Sequence, residues 1–154
     1  MEELELRQMI ASDVPVVVQM MHDFFAEFNY PFDFAVRKKQ VEQVLVERKY
    51  GTIYICQMDR QIMGYQFIAN TYSFEFGGKI AYLDEYYILP EARQKGVGQY
   101  FLQRLQETLK KEAFKSLRLE VENYNTRAVH VYQSNGFSIH QSRYLMTCSF
   151  ENEI

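Results

Sequence analysis

Lys79 to Glu112 reads as three pieces in immediate succession. Lys79 to Leu89 (KIAYLDEYYIL) is rich in aromatic and branched residues and stops at Pro90, as a strand does. Arg93-Gln94-Lys95-Gly96-Val97-Gly98 follows as a loop. Gly98 to Glu112 then places Phe101, Leu102, Leu105 and Leu109 on one helical face, with Arg104, Glu107, Lys110 and Lys111 opposite. An apolar strand running through a short loop into a one-faced helix buries itself only in a layered sheet-and-helix architecture.

The rest of the chain fits that architecture. Leu4 to Ile10 alternates partly and reads as a strand. Ser12 or Asp13 can cap a helix carrying Val14, Val17, Val18, Met21, Phe25 and Phe28, with Pro15 in its first turn and Tyr30-Pro31 at its end. Asp33 can cap a second helix, with Val41, Val44 and Leu45 on one face and Arg37, Lys38, Glu42 and Glu47 around it, closed by Gly51. Thr52 to Met58 and Ile62 to Thr71 read as a hairpin turning at Asp59-Arg60. After the strong helix, Ser116 to Val121 is a strand. Asn125 or Thr126 starts a short helix that Asn135-Gly136 stops. Ser138 to Phe150 reads as one or two further strands. The expected fold is α/β (α+β): one domain over residues 1–154, with a mixed central β-sheet flanked by helices.

Composition narrows the class. The chain is 47% hydrophobic and 24% charged, which excludes disordered and fibrous types. No apolar run approaches the length of a membrane span, and the acidic start lacks the features of a signal peptide, so a cytoplasmic protein is expected. Cys56 and Cys148 lie far apart, and His22, His130 and His140 do not cluster, so no metal site is expected. The net charge of −3 gives no case for a nucleic-acid partner. Residues 1–91 are net acidic and residues 92–154 net basic, either as solvated helix faces or because the two halves meet a cation and an anion.

The loop offers the chemistry for the anion. Two glycines at alternate positions keep side chains away from an approaching ligand. A helix N-terminus presents unpaired N–H groups and the positive end of its dipole. Arg93 and Lys95 add charge. The alternative is a tight turn that binds nothing. The loop lacks the Gly-Lys-Ser/Thr ending of nucleotide triphosphatases and the three-glycine dinucleotide fingerprint.

Arg93-x-x-Gly96-x-Gly98, after a strand ending in an apolar-x-Pro sequence, resembles motif A of the GNAT acetyltransferase superfamily. Asn125-Thr-Arg-Ala128-x-x-x-Tyr132-x-x-x-Gly136-Phe137 resembles that family's second signature, at a fitting separation. Asp84-Glu85-Tyr86-Tyr87, a paired acidic dipeptide followed by two aromatics, is similar to the fourth strand of diamine and polyamine acetyltransferases. The resemblance implies a GNAT-like fold, acetyl-CoA as co-substrate, no metal, a small amine acceptor and a homodimer.

It also implies roles. Tyr132 would protonate the departing CoA thiolate. Asp84 would take the amine proton through water, with Glu85 as fallback; a carboxylate paired to a neighbouring base is the structural alternative. Tyr86, Tyr87, Ile88 and Leu89 would offer backbone contacts to the acetyl oxygen and pantetheine. Arg93, Gln94, Lys95, Gly96, Val97, Gly98 and Gln99 would hold the pyrophosphate, with Asn125 and Ala128 adding to the cofactor site. Asp23, Glu27 and Asp33 would join Asp84 and Glu85 around a cationic amine. The competing classes are a protein or peptide N-acetyltransferase and a CoA-binding module without catalysis.

Overall fold

A computed structural model describes residues 3–151. The chain forms β1 (Leu4–Gln8), α1 (Val14–Glu27), α2 (Phe34–Val46), β2 (Gly51–Met58), β3 (Gln61–Ser73), β4 (Gly78–Ile88), α3 (Val97–Lys111), β5 (Ser116–Leu119) and α4 (Thr126–Ser134). The strands run in the order β1-β2-β3-β4-β5 in one sheet. The first four pair antiparallel, and β5 joins β4 in parallel through the α3 crossover. This is the mixed sheet flanked by helices that the sequence predicts. Residues up to 120 and those from 121 onward form two compact units.

Local chemistry sets the boundaries. Asp33 caps α2 by accepting from the Val36 N–H at 3.0 Å. Asp59 and Arg60 both take left-handed backbone (φ 49° and 66°), which gives the β2–β3 hairpin the twist its strands require. Asp13 does not cap α1 with its side chain. Its buried carboxylate instead accepts from Arg7 and from the Ile10 N–H, both at 2.8 Å, tying β1 to the start of α1.

Each face of the sheet has its own core. On one face Val17, Val18, Met21 and Val41 of the first two helices pack against Ile53, Ile55, Tyr65 and Tyr87. On the other, Phe101 and Val97 of α3 pack with Cys56, Met63 and Ile88. Period-two alternation assigns most of these residues to their faces, while Met63, two positions from Tyr65 yet on the other face, is the extra residue of a bulge opposite Cys56 and Gln57.

The second unit departs from expectation at its end. Asn125 and Gly136 bound α4 as predicted: the Asn125 side chain accepts from the Ala128 N–H at 3.2 Å, and Gly136 takes φ 90°. Ser138 to Phe150, however, contains no strand. Tyr144, Met146 and Phe150 are exposed, so its apolar residues find no sheet face there to bury against.

Candidate active site

The acidic dipeptide sits at an irregularity that brings its two side chains together. Phe67 of β3 pairs with Glu85, yet the next residue, Ile68, pairs with Leu83. Asp84 is the extra residue of a β-bulge. Leu83 lies on the α3 face with Ile68, and alternation puts Asp84 on the α1–α2 face. Glu85 is already on that face through its pairing with Phe67. On a regular strand the two carboxylates would point to opposite sides.

Their environments differ. The Glu85 carboxylate accepts from the hydroxyl of Tyr65 at 2.8 Å. Burial pushes its pKa above the usual range, the Tyr65 bond pulls it down, and Asp84 pushes it up again. Asp84 keeps contact with solvent, and its pKa is also raised, by partial desolvation and by the charge of Glu120. Arg37 draws both acids down. A half-buried carboxyl with a raised pKa is suited to taking a proton. Tyr65 escaped the sequence reading because a buried tyrosine in a strand looks like any core aromatic. Only the β3–β4 register places its hydroxyl on Glu85.

The other acids expected around a cation are already engaged. Asp23 accepts from Gln19 at 3.0 Å and lies 3.1 Å from His22 Nδ1. Glu27 pairs with Arg93. Asp33 caps α2. Of the five acids, Asp84 and Glu85 are the two that the bulge in β4 brings to one face.

The open edge of β4 begins beside this pair. β5 pairs with Ile80 through Leu83 and stops there, while β4 runs on to Ile88. The Leu89 N–H donates to the Met63 carbonyl at 2.8 Å, so it is spent on β3. Alternation aims Tyr87 the same way and turns the Ile88 and Tyr86 N–H groups to the edge away from β3. Of the backbone N–H groups expected to contact the ligand, that of Leu89 is committed to β3 and that of Ile88 faces the opposite edge. The Tyr86 side chain donates to the Gly98 carbonyl, bracing β4 to the first turn of α3. The Tyr87 ring is buried against Phe24 and Tyr65.

The loop turns on its first glycine. Gly96 precedes α3 with φ 75°, a conformation that favours glycine, and as a glycine it brings no side-chain cap to the helix. Val97, Gly98 and Gln99 thus open a helix whose first N–H groups have no intrahelical carbonyl. A Cβ on Gly98 would meet nothing nearer than the Tyr86 hydroxyl at 3.6 Å, so the space above this glycine is not filled by the protein. Gln94 and Lys95 are exposed. Arg93 serves differently from expectation. Its guanidinium pairs with Glu27, donates to the Ile88 carbonyl at 2.7 Å and lies 5.2 Å from the Tyr87 ring centre. It fastens the loop to α1 and β4, which leaves Lys95 as the loop's exposed cation.

In the second unit, Tyr132 packs edge-on to Phe137, with ring centres 5.5 Å apart. Burial raises its phenol pKa, so the hydroxyl stays protonated. Asn125 and Ala128 are the two ends of the helix cap. A hollow of about 470 Å³ lined by Ala11, Val14, Pro15, Lys38, Glu42, Leu45 and Val46 includes none of the expected site residues.

An acidic bulge in β4, an edge that runs on past the end of β5 and a glycine turn ahead of α3 thus lie along one stretch of chain. Residues 17–137 match the acetyltransferase (GNAT) family, and the chain belongs to it. It is similar to the uncharacterized N-acetyltransferase YhfO of Bacillus subtilis strain 168, at 22% identity over 87% of this chain and 89% of that protein. It is also similar to the thialysine N-epsilon-acetyltransferase of Bos taurus, at 31% identity over 49% of this chain and 44% of the bovine protein. Among solved structures, an aminoglycoside N-acetyltransferase in complex with CoA superposes with a TM-score of 0.79 at 16% identity, covering 97% of both chains. The chain is thus an N-acetyltransferase of this family.

Proposed function

We propose that the chain transfers the acetyl group of acetyl-CoA directly to a small primary amine that carries a further positive charge, as a polyamine does. The bulge that sets Asp84 and Glu85 side by side beside the open edge of β4 carries this reading. One carboxylate takes the amine proton while the other holds the second charge. The names of the relatives support an amine acceptor, since thialysine and aminoglycosides both bear primary amines.

The chemistry balances with this chain's groups. The amine loses a proton to Glu85 or Asp84, directly or through water, because an alkylammonium is fully protonated at neutral pH. Its nitrogen bonds to the thioester carbonyl carbon, and the carbon–sulfur bond breaks. The N–H group of Ile88 suits the developing charge on the acetyl oxygen. Tyr132 gives its proton to the departing thiolate, and the second proton shed by the acetylated nitrogen returns to Tyr132 through solvent. Lys95 and the first turn of α3 hold the phosphates, while Arg93 keeps the loop in place. In this reading residues 1–154 work as one domain. A cytoplasmic homodimer belongs to it on composition and family resemblance.

Thiol release from acetyl-CoA tests it. Spermidine should give a higher kcat/KM than a neutral-tailed primary amine of equal length, and the gap should shrink with added salt. Equal values for the two would remove the polycationic acceptor and leave acetyl transfer standing.

A further inference from the structure

Arg37, in the first turns of α2, brings a positive charge to the face that carries the acidic pair. Its guanidinium carbon lies 4.5 Å from the centre of the Phe25 ring and 5.4 Å from that of Phe32. Phe32 also meets Phe34 and His22 edge-on, at 5.0 and 5.4 Å, so the rings under the guanidinium are themselves wedged in place. The charge is felt at Asp84, Glu85 and Tyr65. Yet among the described residues Arg37 makes no ion pair and no side-chain hydrogen bond. Arg7, Arg93 and Arg104, by contrast, each hold a carboxylate.

Cation–π attraction to two rings at 76° to each other holds the guanidinium without using a carboxylate, and its N–H donors lie in its plane. That N–H fork matches a carboxylate bidentately. The neighbouring carboxylates of the protein do not take it. The face is therefore dipolar, with acids on β4 and an unspent guanidinium on α2. We propose that Arg37 binds a carboxylate of the amine acceptor, which makes the acceptor an amino acid or a similar carboxylate-bearing amine. This rests on the acetyl-transfer reading and adds an anionic group to the cationic amine argued above. A basic amino acid satisfies both.

Matched pairs test it: lysine with cadaverine and ornithine with putrescine, which differ only in the carboxylate. Each is measured as an acceptor and, independently of turnover, by calorimetric binding to the CoA-loaded enzyme. The carboxylate-bearing member should be favoured about tenfold or more in kcat/KM and in Kd, the scale of a charge-assisted bidentate contact. Arg37→Met should abolish the preference while the KM for acetyl-CoA and the far-ultraviolet circular dichroism stay unchanged. Arg37→Lys should restore part of it. A tripeptide ending in lysine separates a peptide carboxyl terminus from a free amino acid as the source of the carboxylate. Equal binding of the pairs, a preference for the diamines, no binding by either member, or a preference that survives Arg37→Met would overturn the assignment. If the pairs bind as expected but no amine is acetylated, the transfer reading fails and the carboxylate site stands.

Discussion

The hydroxyl of Tyr65 donates to the Glu85 carboxylate at 2.8 Å across the paired strands β3 and β4. Tyr65 is fully buried, and burial together with Glu85 raises its phenol pKa far above the ordinary value. It therefore remains a donor and favours the ionised form of Glu85. Glu85 is raised by burial and restrained by this one bond. Tyr65→Phe should move the acid limb of the kcat/KM profile to higher pH and leave the KM for acetyl-CoA unchanged. Glu85→Gln should remove that limb and lower turnover by ~10²–10⁴-fold, the scale of general base catalysis. A limb that survives Glu85→Gln and disappears in Asp84→Asn would give the role to Asp84.

The same burial has a cost in stability. A carboxyl whose folded pKa exceeds its unfolded value keeps its proton in the native state after the unfolded chain has lost it. Stability contributed at that site is present below the ordinary carboxylate value and is lost as pH rises through the raised one. Glu85→Gln has no such loss, and its amide oxygen can still accept from Tyr65. Its unfolding midpoint should therefore rise relative to the wild type between pH 4 and pH 8. Denaturant titrations at the two pH values measure this. A gap that narrows toward neutral pH would mean that the site stabilises the charged form.

Much of this was legible in the sequence because it follows from periodicity and from end signals. The α3 stripe, the Asp33 cap and the left-handed Gly96 and Gly136 each act within a few residues of themselves. What the sequence hid is non-local. The bulge at Asp84 exists only as a mismatch between two strands, and it decides that both acids share a face. Arg37 reads as part of a solvated helix face, but its guanidinium lies over Phe25 and Phe32. Arg93 reads as a phosphate ligand and is claimed by Glu27, 66 positions earlier. Ser138 to Phe150 has strand-like composition, yet composition cannot supply the neighbouring strand on which a β-segment depends.

The glycine loop separates strain from ligand contact. Gly96 sits at φ 75°, where a β-branched residue is strained whatever space it has. Gly98 is helical, and a Cβ there makes only ordinary contacts, 3.6 Å to the Tyr86 hydroxyl and 3.9 Å to Ile88. Gly98→Ala should leave the unliganded protein as stable as the wild type or more so, by up to about 1 kcal/mol from helix propensity. It should weaken acetyl-CoA if the ligand approaches this backbone. At about 100 times its dissociation constant the ligand should add ~2.7 kcal/mol to the wild type, seen as a thermal shift. The shift should shrink in Gly98→Ala and vanish in Gly96→Val. An undiminished shift in Gly98→Ala would place the phosphates elsewhere.

Tyr132 is the remaining proton donor of the proposed reaction. Burial raises its pKa, so the phenol is loaded with its proton across the working range, and its loss should not shape the basic limb of the rate profile below its ordinary value. An alkyl thiolate leaves with a conjugate acid near pKa 8.5, close enough to a phenol for the transfer to be useful. Tyr132→Phe removes only the hydroxyl. The ring contact with Phe137 stays, as do the bonds that the Tyr132 carbonyl accepts from the Asn135 and Phe137 N–H groups, so the fold around α4 should hold. Turnover should fall by ~10²–10⁴-fold with acetyl-CoA binding unchanged by calorimetry. The loss should also ease when the acyl donor carries a more acidic thiol, because a better leaving group needs less help from an acid. A variant with wild-type turnover, or one whose deficit ignores the leaving group, would show that water protonates the thiolate and that Tyr132 only packs against Phe137.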